Sequence, residues 1–124
     1  MKQSFETDKI CIEKIINYID DIQDCFLHFD IYSYNDFGRK RLAQFAISQI
    51  ITNIYETKKD MQQATLDKIP EFDKIRLAAT RNIASHDYEN LNFKIIYEIC
   101  GKLNSEQIKG ALEYEYDHLR WQNN

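Results

Sequence analysis

The sequence predicts an all-α fold, an antiparallel bundle of four to five helices, on three observations. Turn formers are scarce: three glycines and one proline in 124 residues, where a sandwich or barrel needs many more. Apolar residues recur at steps of three and four through most of the chain, the spacing of one helix face. The apolar fraction is 44%, which is too high for disorder and fits one continuous core in a chain of this length. A single domain over residues 1–124 follows.

The first helix is expected over residues 5–28, where Phe5, Ile12, Ile15, Ile16, Ile19, Ile22 and Phe26 share a stripe. Asp20, Asp21 and Asp24 fall on its other faces, in water. The turn-prone run "DIYSYND" then breaks the pattern. A second helix is expected over about residues 35–60, with Asp36 as its cap. Phe37, Leu42, Phe45, Ile50 and Ile54 are its apolar positions, and Ile47 and Ile51 widen the face. So wide a face suits a helix with two neighbours, in its own bundle or in a partner subunit. Pro70 can open a third helix, because its missing N–H costs nothing in a first turn. That helix is expected to run from about Glu71 through Phe72, Ile75, Ala79 and Ile83, into the stretch "RNIASHDY".

"YENLN" reads as a turn, with Asn90 or Asn92 capping a fourth helix. Its core side is Phe93, Ile96, Ile99, Cys100 and Leu103, and Gly101 is a weak point near its end. Asn104 stands three residues before Gln107, the spacing of a capping box. A fifth helix follows with Ile108, Ala111, Leu112 and Leu119, extending to Trp121.

The formal net charge is −4, from 16 Lys plus Arg against 20 Asp plus Glu. This argues against strong indiscriminate nucleic-acid binding, which needs many phosphate contacts, and leaves room for a small local basic site. Arg39, Lys40 and Arg41, and then Lys58 and Lys59, read first as solvated helix faces. Cys11, Cys25 and Cys100 are odd in number, widely spaced and without a CxxC pair. They read as thiols of a reducing compartment that serve as small hydrophobes. No Cys/His set has ligand spacing, so no metal and no cofactor is expected. No apolar run approaches membrane-spanning length and the start carries no signal core, so a cytoplasmic chain without a membrane partner is expected.

The polar cluster in "RNIASHDY" carries the chemistry. Asn82 and His86 are four apart and share a helix face. Arg81 and His86 are five apart, so they diverge by roughly 140° on a regular helix. They converge if the helix ends near His86, or they meet their counterparts across a two-fold axis. Arg81 offers a planar, permanently charged fork suited to phosphate. His86 can give or take a proton near neutral pH. Asn82 can orient a histidine or bind a sugar or phosphate oxygen. Such a set could cleave RNA without a metal, by attack of the ribose 2′-OH on its own phosphate. A lone Arg and His on a helix are also common as surface residues or a structural pair, so the residues alone leave both readings open. His28 suits the negative end of the first helix. His118 with Tyr114, Tyr116 and Trp121 suits packing or a dimer contact. Glu106, Glu113 and Glu115 have no counterpart that would make a catalytic pair.

The stretch reads Arg, four residues, His, one residue, Tyr. With the surrounding "IPEFDKIRLAATRNIASHDYENLNFKIIYEI", it resembles the motif and context of HepT-like toxins, in the HEPN superfamily of helical ribonucleases. The resemblance covers most of the chain, well over residues 69–100 and less so over 1–65. It implies a ribonuclease toxin acting on RNA, neutralised by a minimal nucleotidyltransferase (MNT) antitoxin. It implies catalytic roles for Arg81 and His86, an assisting role for Asn82, and an active site at a homodimer interface. Tyr88 corresponds to the tyrosine to which the antitoxin transfers AMP. Many relatives carry Gly-Glu-Ala in the second helix where this chain has Ser48-Gln49-Ile50. If that Glu orients the site by charge, Gln49 implies weaker or differently tuned activity. The alternative is a non-catalytic helical substrate-binding partner of a nucleotidyltransferase, and a purely structural helical dimer stands third. The intact Arg81, Asn82 and His86 set favours the nuclease.

Overall fold

The computed structural model describes residues 5–80 and 92–122. Every element among them is helical: α1 (Phe5–His28), α2 (Tyr34–Gly38), α3 (Arg41–Lys58), α4 (Gln63–Leu66), α5 (Pro70–Asp73), a 3-10 turn (Leu77–Thr80), α6 (Phe93–Leu103) and α7 (Glu106–Gln122). The core joins Ile12, Ile15, Ile19 and Ile22 of α1 to Ala43, Ile47, Ile51 and Ile54 of α3, and to Ile96, Leu103, Leu112 and Leu119 of α6 and α7. Each such Ile or Leu side chain contributes about 1.5–3 kcal/mol by leaving water.

Contacts at the helix ends set the directions. Near the start of α1, the Asp8 carboxylate accepts from the Gln62 N–H, just beyond α3. Near its other end, Phe26 stacks on Phe37, just before α3, at 5.9 Å. Therefore α1 and α3 are antiparallel. On the other side of α1, the Tyr116 hydroxyl donates to Glu13 at 3.1 Å, whereas Ile16, Ile19 and Asp20 share a small cavity with Lys109, Leu112 and Glu113. Sequence numbers rise along α1 as they fall along α7, so this pair is antiparallel too.

The first helix has the expected bounds, and its end is a Schellman closure. The Ile31 N–H bonds to the Phe26 carbonyl and the Asp30 N–H to the Leu27 carbonyl. Asp30 supplies the left-handed residue, φ 56°, which Asp tolerates better than most.

The second helix differs from expectation. It is split into α2 and α3, because Lys40 takes a non-helical conformation (φ −110°, ψ 78°). Ser33, and not Asp36, caps α2: its hydroxyl accepts from the Asp36 N–H at 3.1 Å. The Asp36 carboxylate turns back to accept from the Tyr32 N–H at 2.9 Å and from Arg39 at 3.0 Å. These bonds, the Tyr32 N–H foremost, hold its carboxyl below the usual range. Gly38 lets α2 close on α6, since a Cβ there would stand 3.0 Å from the Phe93 ring. The buried row of α3 is Ala43, Gln44, Ile47, Ser48, Ile51 and Ile54. Leu42, expected inside, is 71% exposed. Phe45 and Ile50 are only partly buried.

The third helix is also not continuous. It ends after one turn at Asp73, and tight bonds from the Ile75 N–H to the Phe72 carbonyl and from the Leu77 N–H to the Ile75 carbonyl bend the chain. Phe72, Ile75 and Leu77 are thereby all buried. Ile83 lies outside the described residues. Asn92 caps α6 as expected, accepting from the Ile95 N–H at 3.3 Å. Before α7 the cap is Ser105, whose hydroxyl accepts from the Ile108 N–H. Asn104, expected in that role, instead closes α6. Cys11 and Cys100 are buried free thiols and Cys25 is half-buried; burial pushes the Cys100 thiol up to about 12. No helix among the described residues is long and apolar enough to cross a membrane.

Candidate active site

Arg81, Asn82, His86 and Tyr88 lie outside the described residues. The structure builds the two supports on either side of them. Thr80 immediately precedes Arg81 in the chain, and Asn92 follows the motif segment.

On the entry side, the 3-10 turn packs against both α3 and α6. Its approach is fixed by Lys58, whose ammonium donates to the Asp73 carboxylate at 2.9 Å and to the Asp73 carbonyl at 3.0 Å. The same ammonium stands 6.0 Å from the Phe72 ring centre. Lys58 is thus a structural tie across fifteen residues of sequence and departs from its expected place on a solvated face. Lys59 keeps to that expectation, pairing with Glu56 at 3.0 Å. A cleft of about 390 Å³ opens here, lined by Tyr55, Lys58, Ile75, Arg76, Leu77 and Ala78.

On the exit side, Phe93 anchors the first turn of α6. Its ring lies 5.4 Å from Tyr34 and 6.5 Å from Phe37. One turn on, Tyr97 meets Phe37 at 5.5 Å and Phe26 at 6.1 Å. Three elements of the fold, α1, α2 and α6, therefore converge where the chain leaves the motif.

Gln49 is exposed on α3, and its side-chain amide donates to Asn53 at 3.0 Å. Beside it, Ser48 is fully buried. The two described histidines do not come together. His28 ends α1, edge-on to Phe29 at 4.9 Å. His118 stacks on Tyr114 at 6.0 Å, on the helix segment that faces the start of α1. Glu106 and Glu113 are exposed, while Glu115 is buried, with an oxygen 4.0 Å from the Lys68 ammonium. None of the three faces a catalytic partner among the described residues. A larger cleft, about 680 Å³, includes Glu71, Lys74, Glu98, Lys102 and Ser105 in its wall. Among the described residues its charges balance and no histidine lines it.

Sequence patterning missed the cationic wall of the smaller cleft. The available signal was position: Arg76 stands five residues before Arg81. A family model described as "Ribonuclease HepT-like" matches residues 12–114, which include the whole cluster from Arg81 to Tyr88. No curated protein and no solved structure matches significantly.

Proposed function

The chain belongs to the HepT-like ribonuclease family, and on that premise we propose that it is a toxin ribonuclease that cuts RNA by metal-independent 2′-OH attack. The observation that carries this reading is the family match across a segment that keeps Arg81, Asn82 and His86 in the motif's spacing. In the proposed step the 2′ oxygen bonds to the adjacent phosphorus and the bond from phosphorus to the 5′ oxygen breaks. His86 takes the 2′ proton, and an imidazolium returns a proton to the leaving 5′ oxygen. Arg81 stabilises the charge that grows on the phosphoryl oxygens. Asn82 orients His86 or a phosphate oxygen. The products are a 2′,3′-cyclic phosphate and a 5′-hydroxyl.

We assign the active form as a homodimer, with two motifs meeting across the symmetry axis. The five-residue spacing of Arg81 and His86 supports it, because the partner copy supplies the convergence that one regular helix denies. The exposed Leu42 and the partly buried Phe45 and Ile50 on α3 fit the same reading. The test is to incubate the purified chain with single-stranded RNA in EDTA and to analyse the ends. Cyclic phosphate products and a sedimenting mass about twice 14.8 kDa are expected. Binding without cutting would leave the non-catalytic nucleotidyltransferase partner as the better reading.

Neutralisation is assigned to a minimal nucleotidyltransferase that adds AMP to the Tyr88 hydroxyl and releases pyrophosphate from ATP. A phosphodiester next to Arg81 would compete for the guanidinium that RNA needs. Tyr88→Phe is expected to keep nuclease activity and to escape inactivation by that enzyme with ATP and Mg²⁺. Peptide mass mapping checks it, and an AMP adduct that persists in Tyr88→Phe would remove this residue from the mechanism.

A further inference from the structure

Among the described residues, the wall of the cleft beside the entry support carries cations and no carboxylate. Lys58 and Arg76 are the only charged side chains in its wall among the described residues. An ammonium has three donors; the contacts of Lys58 to the two Asp73 oxygens, at 2.9 and 3.0 Å, leave one. Those contacts also neutralise the Asp73 carboxylate. Arg76 is exposed, and among the described residues its guanidinium has no carboxylate partner. Tyr55, Ile75, Leu77 and Ala78 are the other described residues of the wall, so among these one surface is charged and the rest is largely apolar. The volume, about 390 Å³, falls within the range of small-molecule sites. The larger cleft lacks this polarity, since Glu71 and Glu98 offset Lys74 and Lys102 there. Ala78 precedes Arg81 by three residues.

We propose that this cleft is an RNA subsite, in which Arg76 holds a phosphodiester flanking the one that is cut and the Tyr55–Ile75 wall faces its base. The inference rests on the ribonuclease reading above. A guanidinium presents paired N–H donors that match two phosphate oxygens. Lys58, whose charge Asp73 balances at 2.9 Å, leaves Arg76 as the net positive group of that wall among the described residues. In a chain of net charge −4, a local cationic cleft is also what lets a polyanion approach.

The experiment compares Arg76→Ala, Arg76→Lys and, as a charge control on a different face, Lys109→Ala. Cleavage of an oligoribonucleotide gives kcat and KM. Anisotropy of a fluorescent 2′-O-methyl oligonucleotide, which lacks the attacking hydroxyl, gives binding alone. Arg76→Ala is expected to raise KM and Kd about tenfold, the effect of losing one charge-assisted contact, with kcat within about twofold of the parent. The slope of log affinity against log salt should become shallower by about 0.7. Arg76→Lys should recover part of the binding, and all three variants should melt like the parent. Equal effects of Arg76→Ala and Lys109→Ala would overturn the subsite and leave only net charge. Arg76-dependent binding by a parent that never cuts would overturn the ribonuclease reading and keep the subsite. A parent that neither binds nor cuts would overturn both.

Discussion

His86→Ala is expected to lower RNA cleavage by about 10²–10⁴-fold, the usual contribution of a positioned general acid or base. Arg81→Ala should lower it by about 10²–10³-fold, as when a donor to developing charge is removed. Neither loss should appear mainly in KM, because both groups act on charge and protons that move only in the transition state. Arg81→Lys should recover little, since a point charge does not reproduce a two-pronged contact. Gel-resolved cleavage and stopped-time kinetics measure the rates, and unchanged helical circular dichroism guards against unfolding. A His86→Ala protein that cuts as fast as its parent would remove the mechanism.

The sequence carried local information well and distant information poorly. The stripe Ile12, Ile15, Ile19, Ile22 repeats at helical spacing, so α1 was legible to its bounds. Asn92 was legible as a cap because its partner, the Ile95 N–H, is three residues away. The α2–α3 break was not, because its context is tertiary: the Phe93 ring occupies the space beside Gly38, 55 positions later in the sequence. The same holds for Lys58, which reads as one more surface charge until Asp73 is brought to it. The one-turn helix α4 has too few residues for a period to show. The candidate site was legible in another way. Arg81, Asn82, His86 and Tyr88 form a short run whose spacing resembles a family motif, and the family assignment stands on the match over residues 12–114. Their individual roles are proposals that rest on that resemblance and on their chemistry. Arg76 could be placed in a cleft wall only after the fold brought α3 beside it.

Asp8→Ala is expected to destabilise the fold by about 3–5 kcal/mol, the cost of breaking a buried, hydrogen-bonded charge. Asp8 lies in the first turns of α1 and is fully buried. Its carboxylate accepts from the Gln62 N–H at 3.0 Å, from the Gln62 side-chain amide at 2.9 Å and from the Thr65 hydroxyl. A buried carboxylate persists only where donors replace the water it has lost. These donors do so, and in return Asp8 fixes the start of α4, satisfying an N–H that the four-residue helix cannot satisfy itself. Alanine would strand those donors, including the hydroxyl of Thr65, itself 1% exposed. Asparagine would keep one acceptor oxygen and turn an NH₂ toward groups that also donate, so it should recover only part of the loss. Domains of this size hold about 5–15 kcal/mol in total, so the alanine variant should melt roughly 10–20 °C below the parent. Asp21→Ala, an exposed position on the same helix, should stay within about 0.5 kcal/mol. The consequence reaches the site through the chain. Asp8 secures residues 62–66, these lead through Pro70 to the Lys58–Asp73 tie, and that tie sets the turn from which Arg81 departs. RNA cleavage by Asp8→Ala should therefore fail at a lower temperature than in the parent, with the rate recovering on cooling below its melting point. Thermal melts by circular dichroism, paired with cleavage rates across the same temperatures, measure both effects. An alanine variant that melts within about 0.5 kcal/mol of the parent, as surface substitutions do, would show that this carboxylate does not hold α1 to the segment after α3.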